Sequence, residues 1–172
     1  QEHLALVEVR GGIGSGRSRP GPMGAQAGSD TVATHLRAAL DDDQVRAVVL
    51  RVESPGGSAV ASDVIWREVC RVRDVGKPVV VSMGDVAGSG GYYVSCGANR
   101  IIALPSTLTG SIGVIGGKFV TAGLLDKMGL TAGSVEEGER ARMWSLRRGF
   151  TESERERLNA EVDTIYADFV AT

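Results

Sequence analysis

Two short apolar runs, each followed by a pair of glycines, constrain the fold of this chain most. The runs are residues 45–52 (VRAVVLRV) and 79–83 (VVVSM), and both are typical of buried strands. The glycine pairs follow at residues 56–57 and 90–91. After the first pair, apolar residues recur every three or four positions, which predicts a helix with one buried face. This order of strand and helix predicts an α/β domain with a largely parallel sheet and outer helices.

The rest of the chain is consistent with a single domain of 172 residues. Residues 4–9 predict an opening strand, and Asp30 is expected to cap a helix. Between them, residues 14–28 are rich in Gly, Ser, Arg and Pro and have no apolar period. That composition predicts a mobile surface loop.

Two further helices are predicted near the end of the chain. The first covers residues 121–128, and its inward side chains are expected to be Leu124, Leu125 and Met128. The second begins with a capping box, in which Thr151 is followed three residues later by Glu154. Its apolar stripe consists of Leu158, Val162, Ile165 and Phe169.

Charge and composition exclude several classes of function. The net charge is −2, from 19 basic and 21 acidic residues, so no surface for nucleic acid is predicted. No run of about 18 apolar residues occurs, so membrane association is expected only through segments outside this chain. Cys70 and Cys96 are far apart, lack a nearby histidine, and are expected to be small core residues. No metal or cofactor site is predicted.

The candidate site lies where the two buried strands end. Ligands of open α/β sheets bind beyond the carboxyl ends of the strands, and both glycine pairs fall there. Glycines let backbone N–H groups approach a ligand closely, which is what an oxyanion hole requires. Ser89, between Gly88 and Gly90 at a strand-to-helix turn, is the best candidate nucleophile. The same position is also typical of a simple helix cap.

A serine nucleophile needs a base, and the histidines are poor candidates. His3 lies near a chain end, and His35 is expected on a helix surface, so a Ser-His-Asp triad is not favoured. A serine–lysine pair is the other arrangement. The chain has three lysines, Lys77, Lys118 and Lys127.

Three motifs in order resemble the bacterial signal peptide peptidase A family, serine peptidases with a Clp/crotonase-like fold. They are residues 51–58 (RVESPGGS), 83–93 (MGDVAGSGGYY) and 103–114 (ALPSTLTGSIGV). The resemblance extends more weakly over nearly the whole chain. It implies repeated ββα units with a largely parallel sheet and outer helices.

The resemblance also implies roles for individual residues. Ser89 would be the nucleophile of a Ser/Lys dyad, and the oxyanion hole would use Gly56 or Gly57 together with the N–H of Gly90. The substrates would be remnant signal peptides or other peptides, and members assemble into a homo-oligomeric ring. The expected location is the bacterial cell membrane, on its extracytoplasmic face. Because signal peptides have apolar cores, the groove is expected to include Val86, Leu108, Ile112 and Val114, although each equally suits a plain core position.

One departure from the family pattern concerns the lysine. Short members carry it in a G-x-x-K segment, and the matching residues 138–141 (GERA) have Ala141 in its place. Arg140 and Arg142 are no substitute, because a guanidinium does not deprotonate in proteins. Long members have two tandem copies, and the N-terminal copy supplies the lysine. The chain therefore resembles the serine-bearing copy of such a protein, with the lysine coming from an N-terminal half or a neighbouring subunit.

Two alternatives stay open at this point. In the first, Lys118, which follows a glycine pair, or Lys127 serves Ser89 within this chain. In the second, the domain is a non-catalytic crotonase relative that binds acyl-CoA or acts as a scaffold.

Overall fold

The computed structural model describes residues 1–21 and 24–172, and these fall into two compact units. Unit one comprises Gln1–Gly113 together with Phe169–Thr172, and unit two comprises Val114–Asp168. The strands are β1 (His3–Arg10), β2 (Gly12–Gly14), β3 (Arg19–Gly21), β4 (Gly24–Gly28), β5 (Val45–Ser54), β6 (Val79–Gly88), β7 (Arg100–Ile102) and β8 (Leu108–Gly110). The helices are α1 (Ser29–Asp41), α2 (Ala59–Asp74), α3 (Gly90–Ser95), α4 (Ala122–Lys127) and α5 (Glu152–Ala171).

The main sheet of unit one is parallel, with the strand order β1-β5-β6-β7. The short strand β8 extends it by pairing with the last residues of β6. Alternate residues of β5 are fully buried, among them Val48, Leu50 and Val52. They share the core with Leu36 of α1 and Ile65 of α2. The predicted α/β class, with a largely parallel sheet and outer helices, is confirmed.

The structure corrects the loop predicted at residues 14–28. Strand β3 pairs antiparallel with β4, and β4 pairs parallel with β2. Side chains support these short ladders: Arg19 donates to Gln26 over 2.8 Å, and the Gly28 N–H donates to the Ser18 hydroxyl over 3.0 Å. The prediction of an irregular loop is therefore wrong for the residues that pair. The mobility expected of residues 14–28 stays a prediction. Pro22 and Met23 lie outside the described residues.

Helix α1 is closed at its C-terminal end by a lysine from another part of the chain. The Lys77 ammonium donates to the carbonyls of Ala39, Leu40 and Asp42 over 2.9, 2.7 and 2.7 Å. The last carbonyls of a helix have no partner within it and carry partial negative charge, so an ammonium stabilises them. At the other end, the helix begins at Ser29 with Gly28 as its cap, so the cap expected at Asp30 is wrong by two residues.

In unit two, α4 does not bury the side chains expected to face inward. Leu124 and Met128 are 59% and 62% exposed, and Leu125 is half-buried. The helix has six residues, and none of them is buried. The stripe of α5 is confirmed in contrast, since Leu158 and Phe169 are buried and the two residues between them are half-buried.

The predicted capping box at the start of α5 is confirmed and is reinforced by an arginine. The Thr151 N–H donates to the Glu154 carboxylate over 2.8 Å, and the Glu154 N–H donates to the Thr151 hydroxyl over 3.3 Å. Arg148 adds two charge-assisted hydrogen bonds of 2.7 and 2.6 Å to the same carboxylate. These contacts, with the Arg148 hydrogen bonds the largest, lower the pKa of Glu154 from 4.5 to about 2.

We expect acid to weaken unit two through this carboxylate. Because its pKa is lower in the folded state, its stabilising contribution is present above about pH 4.5 and is lost as the pH falls towards about 2. In thermal melts followed by circular dichroism, Glu154→Gln should flatten the dependence of Tm on pH across this window. Glu156→Gln, an exposed glutamate of the same helix, is the control and should behave as the unmodified chain. An equal pH dependence in all three proteins would contradict the assignment.

Candidate active site

The candidate site is formed where β5 and β6 end side by side. The strands are parallel, with Val52 opposite Met83 and Ser54 opposite Ala87, so their carboxyl ends lie at the same edge of the sheet. The turn at residues 54–58 leads from β5 into α2, and the turn at 88–90 leads from β6 into α3. Parallel pairing therefore brings together two glycine pairs that are 34 residues apart in the sequence, from Gly56 to Gly90.

The two turns meet through backbone at Gly56. A Cβ atom built on Gly56 would lie 2.6 Å from the Gly90 nitrogen and 2.8 Å from the Ser89 Cβ. Real Cβ atoms do not approach backbone this closely, and the φ of +98° at Gly56 also favours glycine. The structure thus places the two predicted glycine turns in direct contact.

Ser89 occupies a strained elbow between strand and helix. Its φ is 50° and its ψ is −119°, a backbone conformation that residues with side chains rarely adopt. Two hydrogen bonds hold it: its N–H donates to the Gly110 carbonyl over 2.8 Å, and its carbonyl accepts from the Tyr93 N–H over 2.9 Å. Its hydroxyl does not cap α3, and the residue is half-buried. Such a turn leaves the hydroxyl available for chemistry.

The two glycines of the first turn have different backbone partners. The Gly56 N–H donates to the buried Ser54 hydroxyl over 3.1 Å, and that hydroxyl donates to the Gly11 carbonyl over 2.6 Å. Gly57 forms a parallel bridge with Ile13, in which the Gly56 carbonyl and the Ser58 N–H make the hydrogen bonds. The N–H of Gly57 itself points away from Ile13 in such a bridge.

The Gly57 and Gly90 nitrogens lie close together. A Cβ atom built on Gly90 would be 3.3 Å from the Gly57 nitrogen. Gly90 is the first residue of α3, so its N–H has no carbonyl partner within the helix. Two backbone nitrogens that approach each other next to the turn of Ser89 are candidate donors for an oxyanion.

The residues predicted for the substrate groove are only partly brought together. Val86 of β6 pairs with Leu108 of β8, three residues before the nucleophile. Leu108 and Ile112 are 69% and 48% exposed, so they are not plain core residues. Val114 belongs to unit two, and its role in the groove stays a prediction.

Sequence reasoning missed Ser111, a second serine with an unusual backbone. Its φ is 52°, and a Cβ atom built on Gly88 would lie 3.6 Å from the Ser111 Cβ. Gly88 and Gly110 are paired between β6 and β8, and a serine with positive φ follows each. The feature of the sequence that could have indicated Ser111 is the Gly-Ser pair, which follows a strand at both positions. Ser111 is exposed and places a polar residue beside the nucleophile turn.

Comparison with known proteins identifies the family. The sequence model of peptidase family S49 matches residues 71–172. The chain belongs to peptidase family S49. It is 52% identical over 113 residues to Protease 4 of Salmonella typhi, which is 66% of this chain and 18% of that protein. It is 46% identical over 138 residues to Protease 4 of Haemophilus influenzae, or 80% of this chain and 22% of that protein.

A third relative supports the resemblance found in the sequence. The putative signal peptide peptidase SppA of Enterococcus faecium is 35% identical over 137 residues, which cover 80% of this chain and 40% of that protein. The resemblance to the signal peptide peptidase A family is thus confirmed. The chain spans about a fifth of the length of the two Protease 4 relatives.

Two of the lysines of this S49 chain are held by hydrogen bonds to backbone carbonyls. Lys77 caps α1, as described above. In unit two, Lys118 donates to the carbonyls of Met143 and Ser145 over 2.6 and 2.9 Å and lies 4.4 Å from the centre of the Phe150 ring. Hydrogen bonds to carbonyls and contact with an aromatic face stabilise a cation. Lys127 is exposed in the last turn of α4.

The other polar candidates do not assemble into a site. His3 and His35 are exposed. Cys70 and Cys96 are free and half-buried rather than fully in the core, and burial raises the pKa of both thiols. Within residues 1–21 and 24–172, no group of His, Cys, Asp and Glu is arranged to hold a metal ion. In the same ranges no helix has both the length and the apolar character needed to cross a membrane.

We expect Ser54→Ala to destabilise unit one and to loosen the first glycine turn. Ser54 is fully buried, and its loss leaves the Gly56 N–H and the Gly11 carbonyl without their partner. An unsatisfied buried polar group costs about 1–3 kcal/mol, so the free energy of unfolding in urea should fall by about 2 kcal/mol. Ser106→Ala, an exposed serine of the same unit, should change it by less than about 0.5 kcal/mol. Equal effects of both variants would contradict this account of the turn.

Proposed function

We propose that this chain is the serine-bearing part of an S49 serine endopeptidase with Ser/Lys chemistry. The observation that supports the proposal is the contact of the two glycine turns, in which the backbone of Gly56 and Gly57 approaches Gly90 and Ser89. The peptidase names of the relatives support the same reaction class.

In the proposed reaction, the Ser89 oxygen attacks the carbonyl carbon of a peptide bond. A neutral lysine amine takes the hydroxyl proton as the bond forms, and the Gly57 and Gly90 N–H groups donate to the oxyanion. The lysine then passes the proton to the leaving amine, and an acyl-enzyme remains on Ser89. Water, deprotonated by the same lysine, then attacks the acyl carbon. The ester bond to Ser89 breaks, the second product leaves as a carboxylic acid, and the lysine returns its proton to the Ser89 oxygen. One oxyanion donor contributes about 3 kcal/mol to such a step.

Gly56 has a different part in this proposal. Its N–H is already donated to Ser54, so it supports the site by its lack of a side chain. A methyl group there would press on the Gly90 nitrogen and on the nucleophile. The resemblance left open whether Gly56 or Gly57 donates to the oxyanion. The proposed donor is therefore the N–H of Gly57.

The lysine comes from outside this chain. Lys77 and Lys118 already donate hydrogen bonds to backbone carbonyls, at the end of α1 and in unit two respectively, and neither has a described contact with Ser89. The family position for the lysine carries Ala141. A homologous N-terminal half or a neighbouring subunit is the proposed source.

The substrates are proposed to be peptides with apolar side chains. The exposure of Leu108 and Ile112 near the nucleophile supports this, because apolar substrate side chains would cover them. Remnant signal peptides fit this class, as the name of the Enterococcus faecium relative suggests. A ring assembly and an extracytoplasmic membrane location stay predictions from the family resemblance.

We expect Ser89→Ala to abolish peptide hydrolysis in the longer protein that contains this chain. Loss of the nucleophile should lower kcat by several orders of magnitude, because no other group can form the acyl-enzyme. The assay is the cleavage of a fluorogenic apolar peptide, with Tm measured in parallel. Ser106→Ala is the matched control and should retain full activity. Hydrolysis that survives in Ser89→Ala would refute the assignment.

We expect the isolated chain of residues 1–172 to react poorly with a fluorophosphonate, because no neutral amine is available to Ser89. Circular dichroism is used to check that the isolated chain is folded. The longer protein should be labelled at Ser89, and mass spectrometry of the tryptic peptides locates the label. Lys118→Met and Lys127→Met in that protein should both keep this reactivity. Rapid labelling of the isolated chain that disappears only in Lys118→Met would show that the dyad is internal.

A further inference from the structure

Strand β6 contains a bulge just before the nucleophile. Between the pairs Val52–Met83 and Ser54–Ala87, β5 advances by two residues while β6 advances by four. The additional residues are in the segment 84–86, which has no partner on β5. Bulges redirect a strand and twist it locally. After this one, β6 pairs with β8 through residues 86–88.

Side chains satisfy the backbone groups that the bulge leaves unpaired. The Glu53 carboxylate accepts the N–H groups of Asp85 and Val86 over 3.1 and 3.3 Å. The Thr107 hydroxyl donates to the Gly84 carbonyl over 2.8 Å. The Arg51 guanidinium donates to the carbonyl of the preceding Met83 over 3.1 Å. The carboxylate thus takes the place of a strand partner for two consecutive N–H groups.

Gly84 leaves room for this carboxylate. A Cβ atom built there would overlap the Glu53 Oε2 atom and would lie 3.0 Å from the Arg51 guanidinium. Gly84 does not have a positive φ, so an alanine would fit its backbone but would displace the carboxylate. The glycine in this turn and the glutamate at the end of β5 therefore form one structural unit.

We propose that Glu53 is a positioning residue of the reaction, which holds the 84–86 bulge so that β6 meets β8 and presents Ser89. The inference rests on the proposed function of Ser89 as nucleophile. The connection is short: Val86 pairs with Leu108, Gly88 pairs with Gly110, and the Ser89 N–H donates to the Gly110 carbonyl. A bulge without its carboxylate lets this segment shift against β8. A misplacement of about 1 Å can cost about a hundredfold in rate.

The test measures the reactivity of Ser89 in the longer protein containing this chain. In Glu53→Ala, the rate constant for labelling by a small fluorophosphonate should fall at least about tenfold at a temperature well below Tm, and kcat for a peptide should fall in parallel. Glu53→Gln keeps one acceptor oxygen and should recover part of the loss. Glu8→Ala is the matched control, because Glu8 is an exposed glutamate on the neighbouring strand and pairs with Arg10. It should be labelled as fast as the unmodified protein.

Gly84→Ala tests the same contact without removing the carboxylate. It should slow the labelling of Ser89 to a similar extent, because its methyl group displaces Glu53. If both variants act through one contact, the double variant Glu53→Ala/Gly84→Ala should be no slower than the slower single variant. Losses that multiply in the double variant would overturn the inference.

The outcomes separate this inference from the proposed function. Failure of the unmodified protein to be labelled at Ser89 would overturn the proposed function and this inference with it. Normal labelling in the unmodified protein together with unchanged rate constants in Glu53→Ala would overturn only the positioning role. A lowered Tm with unchanged labelling in the folded protein would likewise show that the contact is merely structural.

Discussion

The approach of the Gly56 backbone to Ser89 and Gly90 is the contact on which the proposed site depends. It exists because β5 and β6 are parallel neighbours, so the turns that follow them leave the sheet at the same edge. Only a residue without a Cβ atom allows two backbone segments to come this close. The strained φ of Ser89 is then maintained by hydrogen bonds to Gly110 and Tyr93. Strain of this kind persists where the surrounding structure over-determines it, and such places are commonly functional.

A site made from backbone N–H groups relies on supporting side chains that are not themselves reactive. The Ser54 hydroxyl holds the first turn, and the Glu53 carboxylate holds the bulge ahead of the second. Glu53 and Ser54 lie three and two positions before Gly56, so a single short motif supports both turns of the proposed oxyanion hole. Elsewhere, Lys77 and Lys118 donate hydrogen bonds to backbone carbonyls. The proposed reaction therefore draws its base from another segment.

The errors of the sequence-based predictions have physical causes. Residues 14–28 show no apolar period because their ladder is held by glycine backbone and by polar contacts such as that of Arg19 with Gln26. Helix α4 has the apolar spacing of a buried face, yet Leu124 and Met128 stay exposed. Spacing shows which side chains share a face, but it contains no information about whether another element covers that face. The capping box at Thr151 was predictable because both of its partners lie within one helical turn.

The sequence by itself determined the α/β class, the two glycine turns, the choice of Ser89 and the family, because each depends on residues close together along the chain. Strand periodicity and turn chemistry are local properties, and local motifs express them directly. Tertiary structure alone decided that the Gly56 N–H is donated to Ser54, that Ser111 lies beside the turn of Ser89, and that Glu53 accepts two N–H groups of the bulge. Tertiary structure also decided which lysines donate hydrogen bonds to backbone carbonyls. The contacts of Glu53 and of the lysines join residues 20 or more positions apart. The bond from Gly56 to Ser54 is local, but the Ser54 hydroxyl is itself placed by Gly11, which strand pairing brings to it.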